Sequence, residues 1–142
     1  MLNLQPISVT GSTFTVTKDL AETVIKLNRA AGSTLTLPSA IGSGRSFTIF
    51  VETSASGGSY VVQVTTTDTM AGVAILGQDS ADTAVLFETA SDSDTITMNG
   101  TTKGGLLGDQ INLVDVSSGR WMVRMIGSAT GTEASPFSAA VS

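Results

Sequence analysis

The chain has 142 residues, with seven Lys and Arg against twelve Asp and Glu, a net charge of −5, and neither Cys nor His. Lacking those two residue types, it has no disulfide framework, no Ser-His-Asp or Cys-His nucleophile, and no zinc site built from the usual nitrogen and sulfur ligands. With so few cations and no basic stripe, nucleic acid and an anionic membrane surface are excluded as expected partners.

The length fits one domain, taken here as residues 1–142. Residues 1–12 are small, polar and aperiodic, and read as an extended arm. Met1 to Asp19 carries neither the basic start nor the apolar stretch of a secretory leader. A short strand is expected at Phe14–Val16, a single helical turn at Lys18–Thr23, and further strands at Thr23–Leu27 and Thr34–Leu37. Pro38 ends the last of these, since it cannot donate to a ladder, and Ala40–Gly44 follows as a loop. In Ser46–Val51, Phe47, Ile49 and Val51 alternate with Ser46, Thr48 and Phe50, the period of a strand with one buried face. The same alternation runs through Ser59–Thr65, and Ser54–Gly58 between them predicts a hairpin with a longer loop.

Val73–Leu76 and Ala84–Phe87 read as short strands. Asp94–Met98 is followed by Asn99-Gly100, the strongest short hairpin signal, because both residues tolerate positive φ. Gln110–Val116 and Arg120–Ile126 are strands joined by Ser117-Ser118-Gly119, a second predicted hairpin. Gly127 onward is again small and polar, so residues 127–142 read as a second arm. About ten short, evenly spaced strands predict an all-β fold: an antiparallel sandwich or barrel, jelly-roll-like, with flexible terminal arms.

Candidate chemistry is sparse. Asp92-Ser93-Asp94, with Asp79 and Asp82, is the one carboxylate-rich stretch. It lacks the alternating ligands, central Gly and distal Glu of a calcium loop, so it reads as a solvated connection. Lys103-Gly104-Gly105 lacks the spacing of a phosphate-binding loop. Asn99-Gly100-Thr101 matches a glycosylation sequon but reads as a turn. Asp68-Thr69, Asp82-Thr83 and Asp94-Thr95 read as turn devices, in which both side chains bond local backbone. Trp121 shares a face with Val123 and Met125 and is expected in the core or at a subunit interface. No catalytic, cofactor-binding or metal-ligating residue is assigned, and no cofactor is expected. Charged residues are only 13% of the chain, about half the usual share. A surface coated in hydroxyls and small side chains suits subunit packing, where charge is depleted.

Two stretches, Leu27–Val51 and Thr95–Val141, carry a resemblance. They contain the strand-Leu-Pro-loop-Gly-Ser-Gly unit at Leu35–Gly44, the Gly108-Asp109 turn entering a strand, the Trp121 strand and the closing Ser135–Val141. Together they resemble structural proteins of tailed bacteriophage particles, most closely small head-decoration (cement) proteins. The resemblance implies a non-enzymatic all-β subunit, made in the host cytoplasm and assembled, commonly as a homotrimer, on the outer capsid surface of the virion. There it would clamp neighbouring major capsid protein subunits. Leu-Pro followed by a Gly-rich loop and a strand also occurs in phage fibre and tail proteins, so the alternative is a fibre or tail domain that binds a host surface carbohydrate. A third reading, a small hydrolase using carboxylates alone, requires two acids across a cleft, one with a raised pKa.

Overall fold

A computed structural model describes residues 5–21 and 23–141. Among them there is no helix, and twelve strands form two sheets. The strands are β1 (Ile7–Val9), β2 (Thr13–Thr15), β3 (Val24–Leu27), β4 (Ser33–Thr36), β5 (Ser46–Val51), β6 (Tyr60–Gln63), β7 (Thr69–Gln78), β8 (Ala84–Glu88), β9 (Thr95–Met98), β10 (Gln110–Ser117), β11 (Arg120–Ala129) and β12 (Phe137–Ser138). The larger sheet has the order β1-β3-β5-β10-β11-β7-β8, and the smaller has β12-β9-β6-β4-β2. The fold is thus an all-β sandwich, as the alternation predicts.

The sheets are mixed rather than antiparallel throughout. From β1 to β6 the chain changes sheet at every connection, so β1, β3 and β5 run parallel in the larger sheet and β2, β4 and β6 run parallel in the smaller. A parallel pair needs a long crossover, and here the crossover is a strand of the opposite sheet. The segment is a flattened coil in which each turn stacks on the one before. The remaining elements add the antiparallel pairings: β7 with β8, β10 with β11 and with β5, and β9 with β6 and β12. The longest ladder is parallel, joining β11 to β7 from Arg120↔Thr69 to Ala129↔Gln78.

This winding corrects two hairpin expectations. Ser54–Gly58 does not join paired strands, because β5 and β6 lie in opposite sheets. The segment is an arch stacked on its neighbours: Ser56 donates its amide to the Ala30 carbonyl and Ala55 to Gly105. The buried Tyr60 hydroxyl closes the stack, accepting from the Arg29 amide at 3.0 Å and donating to the Thr53 carbonyl at 2.7 Å. Asn99-Gly100 is a tight turn, with Gly100 at φ +79° and Asn99 Oδ1 accepting from the Thr101 and Lys103 amides. It still leads β9 into β10 of the other sheet. The Ser117-Ser118-Gly119 hairpin forms as predicted. Lys18–Thr23 forms no helical turn over its described residues; Leu20 donates to the Thr17 carbonyl in a plain turn.

Both segments read as arms are tied down where they are described; Met1–Leu4 and Ser142 lie outside the described residues. β1 pairs with β3 and buries Val9. β11 runs on to Ala129, β12 pairs with β9, and Val141 donates to Asp94 at 3.1 Å. Edge pairing and apolar burial fasten these segments to their own domain.

The core lies between the sheets. Its largest fully buried side chains are Trp121, Tyr60 and Phe47. Trp121 fills the core with its ring centroid 6.1 Å from that of Phe47, a tilted aromatic pair. Its indole nitrogen donates to the Pro38 carbonyl at 3.3 Å.

Candidate functional site

The two outer faces of the sandwich differ. On the smaller sheet the outward residues are mostly half-buried and polar, among them Thr34, Thr36, Gln63 and Thr97. On the larger sheet the register lines up Leu86, Ile75, Ile126, Gln110, Phe50 and Lys26 in one row across five strand pairings. Three of these form an apolar ladder left open to solvent: Leu86 is 55%, Ile75 37% and Ile126 52% exposed. The next row sets Glu88, Val73, Arg124, Asn112 and Thr48 side by side. Met122, Val114 and Val73 border a depression of about 400 Å³ beside Gly72. Lys26, Arg120 and Arg124 point outward on this sheet against Glu88 alone among the acids of its strands, a basic local balance on an acidic chain. Apolar side chains held in register on an open sheet face can dock another protein surface by burying area.

At one end of the sandwich a smaller cavity of about 170 Å³ lies between the Lys18-Asp19 turn, the Pro38–Ser43 loop and Trp121. Arg45 stacks over the Phe47 ring, 5.1 Å from its centroid, and donates to the Lys18 carbonyl. Asp19 and Asp115 both border the cavity. Asp115 Oδ1 accepts from the Ile41 and Gly42 amides at 3.0 and 2.7 Å. Its Oδ2 accepts from the Ser43 amide at 3.2 Å and the Ser43 hydroxyl at 2.7 Å. Burial alone would raise this carboxyl, but the Ser43 hydroxyl and the three amides hold it below the ordinary aspartate value. A glycosidase-type pair needs one carboxyl raised as the general acid, and Asp115 moves the other way.

The buried carboxylates are loop fasteners. Asp109 Oδ2 accepts from the Gly105 and Leu106 amides, and Oδ1 from the Ser128 amide at 3.0 Å. Burial pushes its pKa up despite the bonds from Leu106, Gly105 and Ser128. It packs against Gly104 and Gly127, where a Cβ would come within 3.0 and 2.8 Å of Oδ2. A raised pKa marks functional candidates, but a carboxyl sealed at 2% exposure between the Gly104–Leu106 loop and strand β11 reads as a structural knot. Asp68 Oδ2 accepts from the Ala40 amide at 2.8 Å.

The acidic stretch singled out in the sequence divides. Asp79 and Asp82 are exposed in the β7–β8 connection and Asp92 in the turn after β8, whereas Asp94 is buried and accepts from the Thr95 hydroxyl and the Val141 amide. Among the described residues no three His, Cys, Asp or Glu side chains gather as a metal site would require. No described helix is long and apolar enough to cross a membrane. The sequence pattern could have flagged the exposed ladder only with the register in hand, because Leu86, Ile75 and Ile126 come from three separate strands. Compared with protein-family models, with curated proteins and with solved structures, the chain finds no match in any of the three.

Proposed function

We propose that the chain is a structural subunit of a tailed-phage particle, without catalytic function. In this reading it decorates the outer capsid surface and clamps neighbouring major capsid protein subunits. The observation that carries the reading is the open apolar ladder Leu86–Ile75–Ile126 on the outer face of the larger sheet. Such a face has the composition of a contact surface rather than of a solvated one. Clamping needs modest contacts repeated around a lattice, where repetition raises avidity without requiring high affinity at each point. The carbohydrate-binding fibre reading needs exposed aromatic platforms, and Trp121 and Tyr60 are both buried, which favours the decoration reading.

The test mixes the purified chain with expanded capsids that lack decoration and follows co-sedimentation. Saturable binding at a fixed copy number per capsid is expected, and Ile126→Lys should weaken it. Absence of binding to authentic capsids overturns the reading. The homotrimer that belongs to it is checked by light scattering.

A further inference from the structure

We propose that β8 is an association edge at which two copies of this chain join their larger sheets strand to strand. The sandwich has four sheet edges, and three of them are blunted by brevity: β1 and β2 have three residues each and β12 has two. β8 has five, Ala84-Val85-Leu86-Phe87-Glu88. It carries no Lys, no Pro and no inward charge, the usual devices that keep an edge from pairing. Every residue of it is exposed or half-exposed, and among the described residues it has β7 as its one neighbour.

The backbone is oriented for pairing. Thr83 and Thr89 bond toward β7, through Gln78 N–H to Thr83 O and Thr89 N–H to Gly72 O. Alternation along an antiparallel strand then turns the N–H and C=O groups of Ala84, Leu86 and Glu88 outward.

A second copy is the occupant that fits. Antiparallel pairing about a twofold axis at Leu86 sets Leu86 against its own mate, Val85 against Phe87 and Ala84 against Glu88. Every pair is apolar or has a single charge, so no like charges face each other. The contact is isologous and closes at two copies. It also joins the two apolar ladders into one stripe across both outer faces. The inference concerns two copies in dilute solution and stands apart from the capsid reading.

Light scattering with sedimentation equilibrium on the full chain at high micromolar concentration tests it. The expected mass is twice 14.4 kDa, or an even multiple if a threefold contact also forms. Leu86→Lys places two cations on the axis and should return half that mass. Leu86→Glu places two carboxylates there and should do the same, since like charges directly opposite on paired strands repel. Mixing the Leu86→Lys and Leu86→Glu chains sets cation against carboxylate on the axis and should restore pairing, which a merely misfolded variant would not do. A monomeric wild-type chain, or an assembly whose mass neither single variant alters, overturns the proposal.

Discussion

The Gly42 amide donates to Asp115 at 2.7 Å across a sequence separation of 73 residues. That bond, with those from Ile41 and Ser43, hangs the Pro38–Ser43 loop on the end of β10. The loop in turn closes the end of the core over Trp121. Asp115→Ala leaves these donors without their acceptor and should cost about 2–4 kcal/mol, the range for stranding several partly buried polar groups. Asp115→Asn keeps one acceptor oxygen and should cost less. Urea unfolding followed by Trp121 fluorescence reads both.

Asp109 and Asp115 should respond to pH in opposite senses. The Asp115 carboxyl is lowered in the fold from 3.8, so its contribution is present above that value and disappears as the pH falls through its folded pKa. The Asp109 carboxyl is raised from 3.8. The folded state then holds its proton longer than the unfolded chain does, and stability falls as the pH rises from 3.8 through the folded pKa. Relative to wild type, Asp115→Asn should therefore lose its deficit in acid. Asp109→Asn should gain relative stability as the pH rises through its own window. Unfolding free energies measured from about pH 3 to 7 separate the two slopes.

Gly127 makes room for the buried carboxylate. A Cβ there would lie 2.8 Å from Asp109 Oδ2 and 3.0 Å from its Cγ, and Oδ1 of the same carboxylate is already held by Ser128. Gly127→Ala should destabilise by about 1–3 kcal/mol through overpacking. A Gly127→Ala, Asp109→Asn pair should show the non-additivity expected of residues in contact. Additive losses in a thermal double-mutant cycle would show that the two do not share strain.

The Tyr60 hydroxyl links two arches by accepting from Arg29 and donating to Thr53. Tyr60→Phe leaves the ring's burial intact and removes only the hydroxyl, so a loss of about 1–2 kcal/mol is expected, one hydrogen-bonded group with its partners left buried. Hydrogen exchange should rise first at the amides of Arg29 and Ser56, because the arches at 28–32 and 52–59 loosen before the sheets do.

Local features of the chain decide a good deal. Phe47, Ile49 and Val51, and again Trp121, Val123 and Met125, alternate with exposed or half-exposed neighbours in the sequence, and the same residues form the core. Side-chain period is a property of a few consecutive residues, so most strand positions, though not the short β1 and β12 in the segments read as arms, the buried face and the Gln110–Ile126 hairpin are legible without a fold. Tertiary structure alone decides which sheet each strand joins, because alternation says which face is buried and nothing of the neighbour. That is why Ser54–Gly58 becomes an arch instead of a hairpin, and why β1, β3 and β5 run parallel. The same holds for the two carboxylate fasteners: in sequence Asp109 is an ordinary acid just before a strand and Asp115 an ordinary acid within it, and only the approach of Ser128 and of the Ile41–Ser43 loop turns them into buried acceptors. The open ladder and the unblunted β8 edge arise in this way too, from strand order and register, which long-range backbone pairing sets.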